Sequence, residues 1–441
     1  MGGRVNTDDT PWMRLLRELF GDDAERALEE LERMGLDPQQ MAEASGLASS
    51  PAMMDHVLGQ IRALMTQSQG EDVNWTLAHD VARGVAAQGG DPTVTAAAAS
   101  EYRQAVTRAE LWLDAATDFD PSRLEPHVWS RAQWVEATLP TWRVLAGPVA
   151  VSVSTALSSV LHAESEDTMG GLLGSVAPTV CGMHMGQAAG QAALEAFGAT
   201  DLGIPLLPEP RVALVPSVIE GFSAGLDVPA SEVLNYLALR EAAHVRLFAA
   251  APWLAGQLHA AIERYASGIT IDLDALDRAV SEAGAGDPAA LQRALTRGIF
   301  ASHHTEEQAA MLEQVETLLA LIEGWVDAVS TAAAAPHLAS IGALREMMRR
   351  RRAAGGPAED AFENLLGLDL RPRRLRDASA MWETLTRTLG AQERDAVWSH
   401  PDLLPRPDQL TDWQAWIDSR GNEGDDIDAE LRRMLDGEPP A

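Results

Sequence analysis

Residues 227–265, DVPASEVLNYLALREAAHVRLFAAAPWLAGQLHAAIERY, decide how the rest of the chain is read. Asp227 and Ser231 can cap free backbone N–H groups, Pro229 suits a first helical turn, and Pro252 closes the segment. The pattern therefore predicts one helix over about 229–250 and a second beyond Pro252 carrying His259 and Glu263. Val233, Leu237, Glu241, His244 and Phe248 recur at steps of four and three, so a carboxylate and an imidazole share an otherwise apolar face, with Arg240 beside them. An unpaired buried charge costs several kcal/mol, on the order known for buried ions, so that face is expected to meet polar partners in a cleft lined by the downstream acidic helices.

Arg240-Glu241-Ala242-Ala243-His244 differs at one residue from H-E-x-x-H. In that motif two His one helical turn apart bind Zn²⁺, and the Glu between them polarises a metal-bound water. Here arginine stands at the first ligand position, and a guanidinium stays protonated and offers no lone pair. Taken alone the motif is weak. A Glu followed three residues later by His occurs roughly once by chance in a chain this long, and an ion-paired helix face explains it at least as well.

With 441 residues and 46% hydrophobic content the chain can bury a sizeable core. A formal net charge of −31 argues against nucleic acid and against anionic lipid as partners, since both need a basic surface. All 34 basic residues are Arg, which excludes a Walker lysine, a pyridoxal-phosphate Schiff base and a lysine nucleophile. Cys181 stands alone, so no intrachain disulfide or multi-cysteine metal site is available, as suits a reducing cytoplasm. No signal peptide is evident. The best membrane candidate, 145–161, is short and rich in Ser, Thr, Gly and Pro, and reads as a buried helix.

Taken in order, residues 1–73 read as an acidic helical cap, 74–405 as one helical domain, and 406–441 as an acidic tail expected to be mobile, most polar from Gly421 onward. Gly89-Gly90-Asp91-Pro92 parts two helices, and a further break is expected near Pro140. Gly182, Gly186 and Gly190 form a helical stripe that lets a second helix approach. Cys181 and His184 could be a nucleophile and base, but a small buried Cys beside a core His is the better reading. Four prolines between Asp201 and Val218 exclude continuous helix, and Val212–Val215 is the best place for a strand. Further on, His303 and His304 fall in a polar loop. A long helix follows with Leu312, Val315, Leu319, Ile322, Val326 and Val329 on its apolar face and Glu316, Glu323 and Asp327 near it. The Arg-rich stretch beyond it is expected to pair with the surplus carboxylates rather than to bind an acidic ligand. The fold class is mainly α, α+β at most, with a small β-sheet near residues 205–220.

The blocks NWTLAHDVA, AELWLDAAT, WSRAQWVEATLPTW, LALREAAHVRLF, IEGWVD, RRRRAAGGPAEDAF and RDAVWSHPDLLP, in this order from about Asn74 to Leu404, resemble an actinobacterial zincin-like family of hydrolases or zinc-dependent metalloproteases. The resemblance implies a zincin-like helical core, zinc as the cofactor and a peptide or protein substrate. It makes Glu241 the general base and His244 a zinc ligand, while Arg240 departs from the peptidase pattern. The third ligand stays open between Glu263, 19 residues after His244, and Glu323 in EGWVD; His259, one turn from Glu263, could also complete a site. The alternative is a zincin-shaped binding or scaffold protein in which Arg240 replaces the metal. A serine or cysteine hydrolase is a distant third, with no G-x-S-x-G and only Cys181 to offer.

Overall fold

The protein is a computed structural model that describes residues 73–163, 169–267, 306–356 and 374–420, and among these described residues helix dominates and strand is confined to two short segments. In chain order the elements are α1 (Trp75–Ala86), α2 (Ala96–Leu113), β1 (His127–Val128), α3 (Arg131–Ala163), α4 (Met169–Glu195), β2 (Ala213–Leu214) and α5 (Pro216–Ser223). They continue with α6 (Ala230–Ala250), α7 (Pro252–Ser267), α8 (Glu306–Ala334), α9 (Ile341–Ala354), α10 (Leu375–Leu389), α11 (Ala391–Ala396) and α12 (Pro407–Thr411). The expected cap over 1–73, His303, His304 and the chain from Gly421 lie essentially outside the described residues.

The chain forms two compact units; of the described residues, 73–81, 146–163, 169–187 and 266–267 fall in the first and the remainder in the second. In the first, Asn74 caps α1 by accepting from Leu77 N–H at 2.9 Å, and its own N–H donates to the Pro178 carbonyl at 2.9 Å. A Cβ at Gly182 or Gly186 would overlap the carbonyls of Asn74 and Ala78, so the glycine stripe brings α4 against α1 as its spacing predicts. Cys181 is buried and its thiol donates to the Ala150 carbonyl at 3.6 Å.

In the second unit Gly89 (φ 72°) and Gly90 (φ 93°) make the expected turn, and Thr95 caps α2 through Ala98 N–H. Asp91 caps α3 from a distance, accepting from Arg131 N–H at 3.0 Å and Ala132 N–H at 2.9 Å. Helix α3 runs through Pro140 without the expected break. Tertiary contacts hold it there: Trp134 and Trp142 are fully buried, and Thr141 Oγ1 donates to the Leu206 carbonyl at 2.8 Å. At the two-stranded sheet β1 pairs parallel with β2, His127 opposite Ala213 and Val128 opposite Leu214. On its other side β2 meets 197–198, where Gly198 bridges Leu214 and Val215 N–H donates to the Phe197 carbonyl at 2.9 Å.

Helix α6 spans the predicted segment from Ala230, with Pro229 at the N-cap rather than in the first turn and no side-chain cap, so neither Asp227 nor Ser231 caps it. Pro252 ends α6 by opening α7. Helix α6 packs on α2 and α8, and α8 packs on α10, where Gly324 lies so close to Ala378 that a Cβ would come within 2.6 Å. Trp325, Trp382 and Trp398 fill the space around this crossing, the last two stacked with ring centroids 5.3 Å apart. Among the described residues α8 is the one helix long and apolar enough to cross a membrane, and 89% of its apolar window is buried inside the protein. Residues 407–420, at the start of the expected tail, are largely helical, and Trp416 and Ile417 are buried.

Candidate functional site

Arg240, Glu241 and His244 are all buried on α6, at 6%, 4% and 2% exposure. Helix α8 brings Glu323 and Asp327, one turn apart, to the same interior, and α9 brings a row of arginines. The apolar face with a carboxylate and an imidazole thus has buried polar partners.

Glu241 is held by donors from the backbone. Its Oε1 accepts from Ala199 N–H at 2.9 Å and Ala213 N–H at 3.5 Å, while Oε2 accepts from Thr200 Oγ1 at 2.6 Å and Thr200 N–H at 3.3 Å. Burial pushes its carboxyl up; the Thr200 hydroxyl, the nearby His244 and the Ala199 N–H oppose that push. The carboxylate reaches these groups only because residue 198 is glycine. A Cβ there would overlap Glu241 Oε2 and come within 2.5 Å of the Ala213 carbonyl. Glu241 therefore fastens the 198–200 loop and strand β2 to α6.

Glu323 is held by side-chain cations. Its Oε2 accepts from Arg240 Nη2 at 2.7 Å; its Oε1 accepts from Arg352 Nη2 at 2.5 Å and faces His244 Nε2 at 3.0 Å. His244 Nδ1 lies 2.9 Å from the Arg240 carbonyl, a group that can only accept, so Nδ1 donates there and the ring is fixed with Nε2 toward Glu323. Burial alone would raise the Glu323 carboxyl, but Arg352, His244 and Arg240 together hold it well below the usual carboxylate range. Burial would likewise depress Arg240, yet Glu323 and the neighbouring acids raise it. The centre is a closed ionic cluster in which charge-assisted hydrogen bonds offset the cost of burial.

Helix α9 contributes more than Arg352. Arg345 and Arg349 donate to Asp327 Oδ2, at 2.7 Å and 2.8 Å, and Arg345 also pairs with Glu383. The Arg351 guanidinium lies over the Phe197 ring, 4.2 Å from its centroid, and donates to the Glu195 carbonyl at 3.0 Å. Arg350 pairs with Glu346 on the exposed side. Among the described residues of the Arg-rich stretch, Arg345, Arg349 and Arg352 pair with buried carboxylates.

Arg240, His244 and Glu323 come together in one centre, and Glu241 sits beside it with its oxygens turned to the loop. Glu263 is exposed on α7. His259, also on α7, is half-buried; burial draws its pKa down against a hydrogen bond with the Pro205 backbone. Among the described residues no three His, Cys, Asp or Glu side chains converge in a metal-binding group, so neither Glu263 nor His259 joins His244 and Glu323 in one. Sequence reasoning missed Gly198, Thr200 and Arg352. The first two carry no motif, and Arg352 is one of four consecutive arginines with nothing to single it out.

Residues 73–417 match the family described as zincin-like metallopeptidase. The chain belongs to that family. A crystal structure described as a "putative hydrolase with a novel fold", from Chloroflexus aurantiacus, is 19% identical, with a TM-score of 0.57 over 79% of this chain and 99% of its own; it supports the fold. No match is found among curated proteins. As a zinc set, the centre of this zincin-like chain does not fit. One imidazole and one carboxylate are present, but a guanidinium stands at the first ligand position and a second lies on the same carboxylate. Both are permanent cations without a lone pair.

Proposed function

We propose that this member of the zincin-like metallopeptidase family is a binding or scaffold protein in which the Arg240–Glu323 pair takes the place of the family's ion. The observation that carries the reading is the contact of Arg240 Nη2 with Glu323 Oε2 at 2.7 Å, both side chains buried. In a zincin the ion ties a helix-borne imidazole to a carboxylate from another helix. Here a covalently attached cation makes that tie between α6 and α8, and His244 keeps the pose of a ligating histidine, its Nδ1 bound to a carbonyl.

The competing reading is a metallohydrolase acting on peptides, with Glu241 activating water, and family membership favours it. It requires a carboxylate with an oxygen open to that water. The four donors on Glu241 occupy both of its oxygens, which favours the structural reading.

Elemental analysis of dialysed protein purified without a histidine tag separates the two, together with hydrolysis of a mixed peptide library. The expected result is zinc far below one per chain and no peptide cleavage above a His244→Ala control. Stoichiometric zinc that His244→Ala abolishes would return the hydrolase reading to first place.

A further inference from the structure

Arg240 alone does not account for the centre, and the excess is informative. Zn²⁺ carries two positive charges, whereas Arg240 supplies one. The second comes from Arg352, 29 residues beyond Glu323, whose Nη2 donates to Glu323 Oε1 at 2.5 Å, the oxygen that also faces His244 Nε2. Arg352 is 4% exposed and is not an incidental surface contact. The other pairings of α9 fix its position: Arg345 and Arg349 hold Asp327, one turn along α8 from Glu323, and Arg351 holds Phe197, Glu195 and Asp201.

We infer that Arg240 and Arg352 act as a two-guanidinium substitute for a divalent ion, one on each oxygen of Glu323, and that Arg352 is a second, independent barrier to metal. This deepens the reading of Arg240 given above and rests on it. The two arginines block differently. Arg240 fills the position of a ligand, so its loss is needed before a nitrogen donor can be supplied there. Arg352 fills the charge: with Arg240→His in place it still engages the oxygen facing His244 and sets a fixed cation against an incoming Zn²⁺. Removing one barrier leaves the other. A helix from elsewhere in the chain, α9, thus decides whether the H-E-x-x-H geometry of α6 can work even when its sequence is restored.

Zinc titration against a chelating dye tests this in four full-length proteins: wild type, Arg240→His, Arg352→Gln, and the double variant. Arg350→Gln, on the exposed side of α9, serves as a control added to Arg240→His. The expected result is no zinc uptake by wild type or Arg352→Gln and weak uptake by Arg240→His. The double variant should bind about ten- to hundred-fold tighter than Arg240→His, the range for groups that act on a metal through its ligands. Arg350→Gln should leave Arg240→His unchanged. Should the double variant be unfolded without metal, circular dichroism is followed as zinc is added, and folding that saturates near one zinc per chain is the expected outcome. Equal zinc affinity in Arg240→His and the double variant overturns the role of Arg352 and leaves the Arg240 reading intact. A double variant that stays unfolded at saturating zinc, or folds without binding it, overturns it too. Stoichiometric zinc in the wild type, lost in His244→Ala, defeats the underlying reading itself.

Discussion

Glu241 and Glu323 are both carboxylates buried within the second unit, 4% and 1% exposed, and they are held by opposite means. Backbone N–H groups of 199, 200 and 213, with the Thr200 hydroxyl, hold Glu241. Guanidinium and imidazole groups hold Glu323. Three of the four donors on Glu241 are backbone N–H groups that no side-chain substitution removes, so Glu241 is tied to the fold. The second set consists of side chains on two helices, α6 and α9, each of them replaceable.

The largest expected effect is at Glu323. Glu323→Gln leaves Arg240 and Arg352 buried without their anion, and breaking a buried pair in this way costs about 3–5 kcal/mol; urea denaturation reads it. The same variant sharpens the comparison through pH. The folded pKa of Glu323 is depressed, so its contribution is fully present above the unfolded value of about 4.3 and is lost as pH falls below that. The stability gap between wild type and Glu323→Gln should therefore narrow on acidification from pH 5 toward pH 3. Glu241, whose carboxyl burial raises, has the opposite sign: its contribution weakens as pH rises through its folded pKa. A constant gap across that range would contradict the ionic account of the centre.

Next comes the clamp. Thr200→Val removes the hydroxyl donor 2.6 Å from Glu241 and is expected to cost about 1.5–3 kcal/mol, the range for a hydrogen bond to a charged group. Gly198→Ala forces a methyl against Glu241 and the Ala213 carbonyl, and overpacking of this kind costs about 1–3 kcal/mol. Both should lower the melting temperature without changing zinc uptake by Arg240→His. A change in zinc uptake would show that clamp and centre are one device rather than two.

How much of this was legible in the sequence follows the range of each interaction. Helix α6, the opening of α7 at Pro252 and the glycine stripe of α4 rest on spacing within a few turns, and each is found where the pattern puts it. Strand β2 lies inside the expected 212–215, bounded by prolines. Its partner β1, two residues at His127–Val128, has too short a pattern to read and exists through pairing across 86 residues of chain. Pro140 suggested a break that packing of Trp134 and Trp142 overrides. At the site, the motif marked Arg240, Glu241 and His244, and α8 periodicity marked Glu323. Which carboxylate faces which cation depends on Gly198, Thr200 and Arg352, delivered from loops and helices whose relation to α6 no local spacing encodes.

The smallest effect belongs to Glu263, one of the two candidates for third ligand that the family resemblance implied. Glu263 is exposed on α7, and Glu263→Gln is expected to change stability by about 0.5 kcal/mol or less and to leave zinc uptake by the Arg240→His/Arg352→Gln protein unchanged. Loss of zinc binding in that background would place Glu263 at the ion after all and break the assignment of the centre to Glu323.

The most direct measurement is a crystal of the wild-type protein grown in excess zinc, with an anomalous difference map collected at the zinc absorption edge. The expected map shows no peak bonded to His244 Nε2 and Glu323, and both guanidiniums, Arg240 and Arg352, within hydrogen-bond distance of the Glu323 oxygens. A full-occupancy peak bonded to His244 and Glu323, with either guanidinium displaced, would contradict the claim that arginine holds the place of the metal.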